Sequence, residues 1–254
     1  MRIKFLVPFP LNDNDEGMAI RHEKVPQEIL TPTTTVECIS VRNSGLYADG
    51  YYEALLMEMY LVEAGVRAED EGYDAVIVDT FSDSGVYALR SRLSILVMGP
   101  GMVAYSIGMM LGKRFSILLT WDRWSYIDER NLDTYGFRHR CASIRTLKKF
   151  DPDVNLLFTG REEEYYPQLL SEAQAAIDED GADAILLGST TMHQIGKYLG
   201  ERLSVPVINP GPAAIKMTET LLKLGYTHSK AAFPAPLVVQ DEKFFSLMGV
   251  PSKK

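Results

Sequence analysis

The sequence predicts an α/β protein in which two similar halves each carry a parallel sheet. Three features point to this class: continuous apolar runs bounded by glycine and proline, amphipathic stretches that alternate with them, and one segment that occurs twice. A strand buried on both faces reads as an unbroken apolar run, whereas an outer helix shows its apolar positions on one stripe. The 254 residues suffice for one large core or two modest ones, and 46% hydrophobic with 24% charged residues is ordinary for a globular chain.

The elements follow in order. RIKFLVPF (2–9) is the first strand, apolar up to its prolines. It could mimic a secretory leader, but Pro8 and Pro10 break the run and no cleavage-like site follows. TTVECISV (34–41) is β-branched and apolar, a second strand. YYEALLMEMYLVEAGVRAEDEG (51–72) has helical spacing and stops at Gly72. DAVIVDT (74–80) is a strand, a helical stretch runs to about Arg92, and LSILVMG (93–99) is a strand again. MVAYSIGMMLGK (102–113) reads as helix, RFSILLTW (114–121) as strand and DERNLDTYGF (128–137) as helix. EEEYYPQLLSEAQAAIDEDG (162–181) is a helix, ADAILLGS (182–189) a strand, QIGKYLGERL (194–203) a helix and SVPVINPG (204–211) a strand. A last helix covers 213–224.

The repeat pairs EDEGYDAVIVDTFSDSGVYALRSRLSILVMGPG with DEDGADAILLGSTTMHQIGKYLGERLSVPVINPG. Asp74 and Asp183 stand 109 positions apart, and so do Thr80 and Ser189. Two copies of a strand–turn–helix–strand unit suggest two halves related by an approximate twofold. The expected division is 1–98 with 212–254 as one domain and 99–211 as the other. In open parallel sheets ligands bind beyond the carboxyl ends of the strands. Thr80 and Ser189 sit at those ends, so halves that face each other bring two hydroxyls to one ligand from opposite sides.

Charge and composition narrow the partners. A formal charge of −8 and the lack of any basic run argue against nucleic acid or an anionic membrane surface. No stretch approaches the roughly 18 apolar residues of a membrane span. Cys38 and Cys141 make no disulfide framework and read as reduced thiols of a cytoplasmic protein. The four histidines and two cysteines lack metal-ligand spacing, and no GxGxxG follows a strand, so neither a metal nor a dinucleotide is expected.

Taken in order, EGYDAVIVDTFSDSGVYALR, LGKRFSILLT, YGFRHRCASIR and DAILLGSTTM resemble the aspartate/glutamate/hydantoin racemase superfamily, and its hydantoin-racemase-type branch most. The resemblance covers most of the chain. It implies two pseudo-symmetric domains around a small cleft, no metal, no organic cofactor, a small-molecule substrate and a homo-oligomer. In these racemases each catalytic strand ends in a cysteine; one thiolate removes the proton α to a carbonyl and the opposing thiol returns one. The matching positions here are Thr80 and Ser189. VPFPLND (7–13) stands where the family carries an Asn-bearing loop, and Cys141 lies outside the catalytic pair.

A free thiol titrates near pH 8.5 and an alcohol far higher, so two lone hydroxyls make poor bases at neutral pH. Hydroxyls and the N–H groups of their turns can instead hold a carboxylate or a developing oxyanion, and one hydroxyl becomes a nucleophile if a base is within reach. The leading expectation is therefore a non-cysteine enzyme that hydrolyses an amide-type bond in a small carboxylate- or cyclic-amide-bearing substrate. The alternatives are a racemase, isomerase or decarboxylase acting α to a carbonyl, with a base supplied by Asp79 or His193, and a non-catalytic binding protein. Thr80, Ser189, His193 and Asp79 are the candidate catalytic residues. Phe9, Pro10, Phe81, Ser82, Thr190 and Thr191 are candidates for substrate binding by their place at the strand ends. Trp121, with Trp124, would wall a planar substrate, Arg123 would hold an anion, and His228 lies in a tail segment near the family's cleft. Asp83 would shape its turn.

Overall fold

The computed structural model describes residues 1–11, 16–148 and 161–249. The end of the loop 7–13, from residue 12 onward, lies outside them. Two four-stranded sheets form, both wholly parallel. The first contains β1 (Arg2–Val7), β2 (Thr35–Ser40), β3 (Ala75–Val78) and β4 (Leu96–Met98), in the order β2-β1-β3-β4. The second contains β5 (Phe115–Leu119), β6 (Cys141–Thr146), β7 (Ala184–Leu187) and β8 (Val207–Ile208), in the order β6-β5-β7-β8. The protein is thus an α/β molecule with twin parallel sheets, each strand order a copy of the other.

Helices cover both faces. In the first half these are α1 (Glu16–Glu23), α2 (Tyr51–Gly65) and α3 (Val86–Arg92). The second half has α4 (Pro100–Leu111), α5 (Ser125–Tyr135), α6 (Tyr166–Asp178) and α7 (Ile195–Gly200), followed by α8 (Pro210–Lys223) and α9 (Asp241–Leu247). The continuous apolar strands do what their pattern requires. Alternate residues of the first sheet pack on opposite sides: Leu6, Val76 and Val78 meet Leu61 and Leu89, while Ile3, Phe5 and Ile77 meet Ala214 and Ile215 of α8. In the second sheet Ile185 and Leu187 meet Leu169 and Ala173 of α6, while Phe115, Ile117 and Leu186 meet Ala104 and Tyr105 of α4. Each fully buried leucine or isoleucine contributes about 1.5–3 kcal/mol, so these four clusters hold the sheets.

The two halves begin their repeated strand in the same way. A glycine in the left-handed region, Gly72 (φ 79°) or Gly181 (φ 73°), turns the chain into it. An aspartate follows and accepts a bond from the neighbouring strand: Asp74 from Arg2 N at 2.7 Å, Asp183 from Arg114 N at 2.8 Å. These clamps fix register, since a slip by one residue would turn every apolar side chain to the wrong face.

Most elements lie within a few residues of their expected bounds, and four differ. The helix expected over 51–72 ends at Gly65, where a side chain would meet Leu6 and Leu89 at 2.9–3.0 Å, and the chain turns there. Strand β6 and helices α1 and α9 carry no clear apolar periodicity and were not expected as elements. No helix among the described residues is long and apolar enough to cross a membrane.

Candidate functional site

Strands β3 and β7 end at one cleft. Pro8, Phe9, Tyr47, Ala48 and Met57 line it from the first half with the turn 79–82, and Trp124, Ile127 and Asp128 from the second with the turn 188–191. Thr80 and Ser189 therefore share a single pocket. Register explains why. Leu6 pairs with Val78 and Leu118 with Leu187, so each turn leaves its sheet at the same point, with Asp79 opposite Gly188 in the twofold.

Each hydroxyl is tied into its own turn. Thr80 Oγ1 accepts from Ser84 N at 3.2 Å. Ser189 Oγ accepts from Thr191 N at 3.2 Å and shares a 2.8 Å bond with Thr191 Oγ1. The turns also hold one another, because Thr190 Oγ1 donates to the Asp79 carbonyl at 2.9 Å. Among the described residues no hydrogen bond occupies the backbone N–H of Phe81 or Ser82, nor that of Ser189 or Thr190. Paired free amides at a strand end are suited to an oxyanion. Among the described residues no base is bonded to either hydroxyl, so neither is set up there as a nucleophile.

Charge is distributed unevenly around this symmetric frame. Asp79 turns its carboxylate to Lys24 Nζ, at 3.0 and 2.9 Å, and to Arg21 at 3.4 Å. All three side chains are fully buried. Burial, with Arg21 adding to it, brings the Lys24 ammonium down to about 7. Asp83 accepts from Gly101 N and Met102 N at the start of α4, both at 2.8 Å, and from the Tyr135 hydroxyl at 2.8 Å. Burial still pushes its carboxyl up to about 6. Asp83, expected to shape its own turn, instead uses its carboxylate to tie that turn to the start of α4 and to Tyr135 of α5. Asp128, on α5, has the Tyr105 hydroxyl at 3.3 Å, and burial holds its carboxyl well above the usual range.

Several expected site residues lie elsewhere. His193 lines no part of the cleft and makes no bond to Ser189; it is packed near Lys24 and Arg21, and burial brings it down to about 3, so it stays neutral. His228 meets the Leu93 carbonyl at 3.2 Å, at the opposite, amino-terminal end of β4. Arg123 is exposed and paired with Asp49 at 3.2 Å, because the chain after β5 turns outward into a short helical turn. Trp121 supports the wall from behind, edge-on to Tyr47 and Trp124, which do line the cleft. Pro10 is exposed beyond Phe9 and takes no part. Phe9, Asp79, Thr80, Phe81, Ser82, Ser189, Thr190 and Thr191 are all lining residues. Cys38 and Cys141 lie outside the cleft, and burial pushes both thiols up to about 12, so neither is a thiolate at neutral pH. No group of acids, histidines and cysteines among the described residues is arranged to hold a metal.

Sequence reasoning missed Tyr47, Ala48, Met57, Ile127 and Asp128 in the wall and Arg21 and Lys24 behind it. The only signal for the last two was their i, i+3 spacing, with Ile20 and Val25 beside them marking a buried face.

The twin sheets and shared cleft have close counterparts. The chain is 31% identical over 230 residues to a hydantoin racemase of Pseudomonas sp. (strain NS671), covering 91% of this chain and 89% of the relative. Its fold matches an allantoin racemase from Klebsiella pneumoniae with a TM-score of 0.82 at 26% identity, covering 96% of this chain and 98% of that one. An allantoin racemase from Pseudomonas fluorescens matches with a TM-score of 0.81, also at 26% identity, over 94% of this chain and 99% of that one. The family profile described as Asp/Glu/Hydantoin racemase matches residues 19–218, a span that includes the turns 79–82 and 188–191. By its repeat, its paired sheets and this match, the chain belongs to the Asp/Glu/hydantoin racemase family.

Proposed function

We propose that the protein isomerises a small neutral cyclic amide of the hydantoin type, by removing and returning the hydrogen on the carbon next to a ring carbonyl. The observation that carries this reading is the charge of the cleft: among the described residues, no lysine, arginine or histidine lines it, and Asp79 and Asp128 do. Asp79 already takes up the charge of Lys24 and Arg21 behind it, so a free carboxylate substrate would find no cation lining the cleft to meet its charge, which opposes its desolvation. A neutral ring brings carbonyl acceptors that suit the free amides of the two turns, and Phe9, Phe81 and Trp124 offer apolar faces to a planar ring. The similarity to hydantoin and allantoin racemases favours carbon-acid chemistry over the amide hydrolysis expected first.

The step balances without a cofactor. The C–H electron pair becomes the C=C bond of an enolate, the carbonyl pair settles on oxygen, and the proton passes to a base. Of the two bases that could stand in for a thiolate, Asp79 belongs to the cleft and His193 does not. Lys24, bonded to both carboxylate oxygens, holds Asp79 oriented for this step. Return to the opposite face is served by the Ser189–Thr191 hydroxyl pair, which relays a proton from water; the proton that Asp79 then releases to solvent neutralises the hydroxide left behind and restores the site.

The test is to follow enantiopure 5-substituted hydantoins and allantoin in heavy water by NMR and optical rotation. Deuterium entry at the ring carbon with loss of rotation is the expected result. Ring opening without exchange, or exchange of free aspartate or glutamate but not of the rings, would overturn the reading.

A further inference from the structure

Asp128 has no part in the proton path above, yet it is 1% exposed and lines the cleft. Other buried carboxylates are well matched. Asp79 faces Lys24 and Arg21, Asp83 accepts from two amides and a hydroxyl, and Glu219 faces Lys216 and Lys223 with Thr31 and Thr34. Asp128 has the Tyr105 hydroxyl at 3.3 Å, and it makes no ion pair among the described residues. An ionised carboxyl in such a place is strongly disfavoured, so the group keeps its proton. Glu129 and Asp83 push the same way, the Tyr105 hydroxyl and Arg130 oppose them, and burial outweighs both.

A neutral carboxyl is a hydrogen-bond donor. Burial also holds the Tyr105 hydroxyl in its protonated form, so Tyr105 donates to Oδ1. The other oxygen of Asp128 carries the acid proton, and no acceptor for it is found among the described residues. Its place beside the catalytic turn is fixed one helical turn further on, where Asn131 Nδ2 donates to the Phe81 carbonyl at 3.4 Å.

We propose that Asp128 is a catalytic residue whose carboxyl O–H donates a hydrogen bond to the carbonyl oxygen of the bound ring and holds the charge that arrives there. This rests on the reading of the cleft as a carbon-acid site. Asp128 keeps its proton throughout; the enolate oxygen gains a donor held at a buried position, where it counts for far more than in bulk solvent. Such a donor also deepens the substrate preference, since it selects a neutral carbonyl.

Two variants and one spectrum test this. Asp128→Asn still donates through its amide, and its exchange rate is expected to stay within about tenfold of wild type; Asp128→Leu, which cannot donate, is expected to lose about 100–1,000-fold. The loss should fall on kcat, with hydantoin still raising the melting temperature of both variants. A Leu variant within threefold of wild type overturns the proposal, and so does an equal loss in both variants, which would make Asp128 a base. Should the Leu variant fail to fold, infrared difference spectra of wild type and Asp128→Asn decide: a carboxylic-acid band present at pH 7, absent in the variant and moved by hydantoin supports the role, and no such band overturns it. Wild type that exchanges no ring overturns the reading of the previous subsection, an outcome separable from an intact exchange reaction that ignores residue 128.

Discussion

The turn after β3 and the turn after β7 are alike in backbone and unlike in charge. Thr80 and Ser189 match, as do Phe81 with Thr190 and Ser82 with Thr191, each pair 109 positions apart. Beneath them the halves diverge. The first half has Asp79 gripped by Lys24 and Arg21; at the same place the second has Gly188 pressed against Ile117 and Leu119. The helix after each half's first strand follows suit, α1 and the residue just after it burying Arg21 and Lys24, and α5 burying Asp128 and Asn131. The hydroxyls of Thr80 and Ser189 line one pocket, and on the proposed reading they would meet the two faces of a guest while unequal acids and bases gave the two walls different work. Symmetry sets the geometry and its breaking sets the chemistry.

The sharpest way to break this comparison is at positions 79 and 188. Asp79→Ala strands two buried cations, and denaturant unfolding should show a loss of about 3–5 kcal/mol. Combining Asp79→Asn with Lys24→Met should lose less than the two single changes added together, which a double-mutant cycle would read. Next in size, Thr80→Val with Ser189→Ala should lower ring-hydrogen exchange about 100-fold by stripping both walls of hydroxyls; an unchanged rate would remove them from the site. Gly188→Ala should cost about 1–3 kcal/mol, because the new Cβ meets Leu119 at 2.5 Å and Ile117 at 2.8 Å.

The smallest effect is a pH dependence. His193 titrates near 3 in the folded chain, below its ordinary value of 6.5, so the unfolded chain binds more protons between those values. Its contribution to stability is therefore full above pH 6.5 and fades as pH falls toward 3. Urea unfolding of His193→Gln should be less steep over that window; an unchanged slope would show that burial does not control the ring.

Much of this was legible beforehand, for physical reasons. Unbroken apolar runs such as AVIV and AILL can be satisfied only in a strand covered on both sides, and their repetition with an aspartate in front foretold the twin sheets. Thr80 and Ser189 followed from the rule that parallel strands present their carboxyl ends to ligands. Asp128 did not follow, because DERNLDTYGF reads as a solvated helix. It is buried only because α5 leans on the other half's turn, through Asn131 to Phe81 and Tyr135 to Asp83. Trp121 and Arg123 misled in the opposite direction, since a strand end was recognised but not the outward turn after it. His193 was placed by its four-residue separation from Ser189, yet the short helical turn at 190–192 carries the ring away from the hydroxyl.

Bonds that cross between the halves recur on every side of the cleft. Thr190 reaches Asp79, Trp124 Nε1 reaches the Tyr47 carbonyl at 2.8 Å, Tyr126 reaches the Ala48 carbonyl at 2.9 Å, and Asp83 seats the start of α4. A lobe cut out and expressed alone would present these donors and acceptors to water and lose the partner that orders its own turn. The molecule should accordingly melt in one cooperative step.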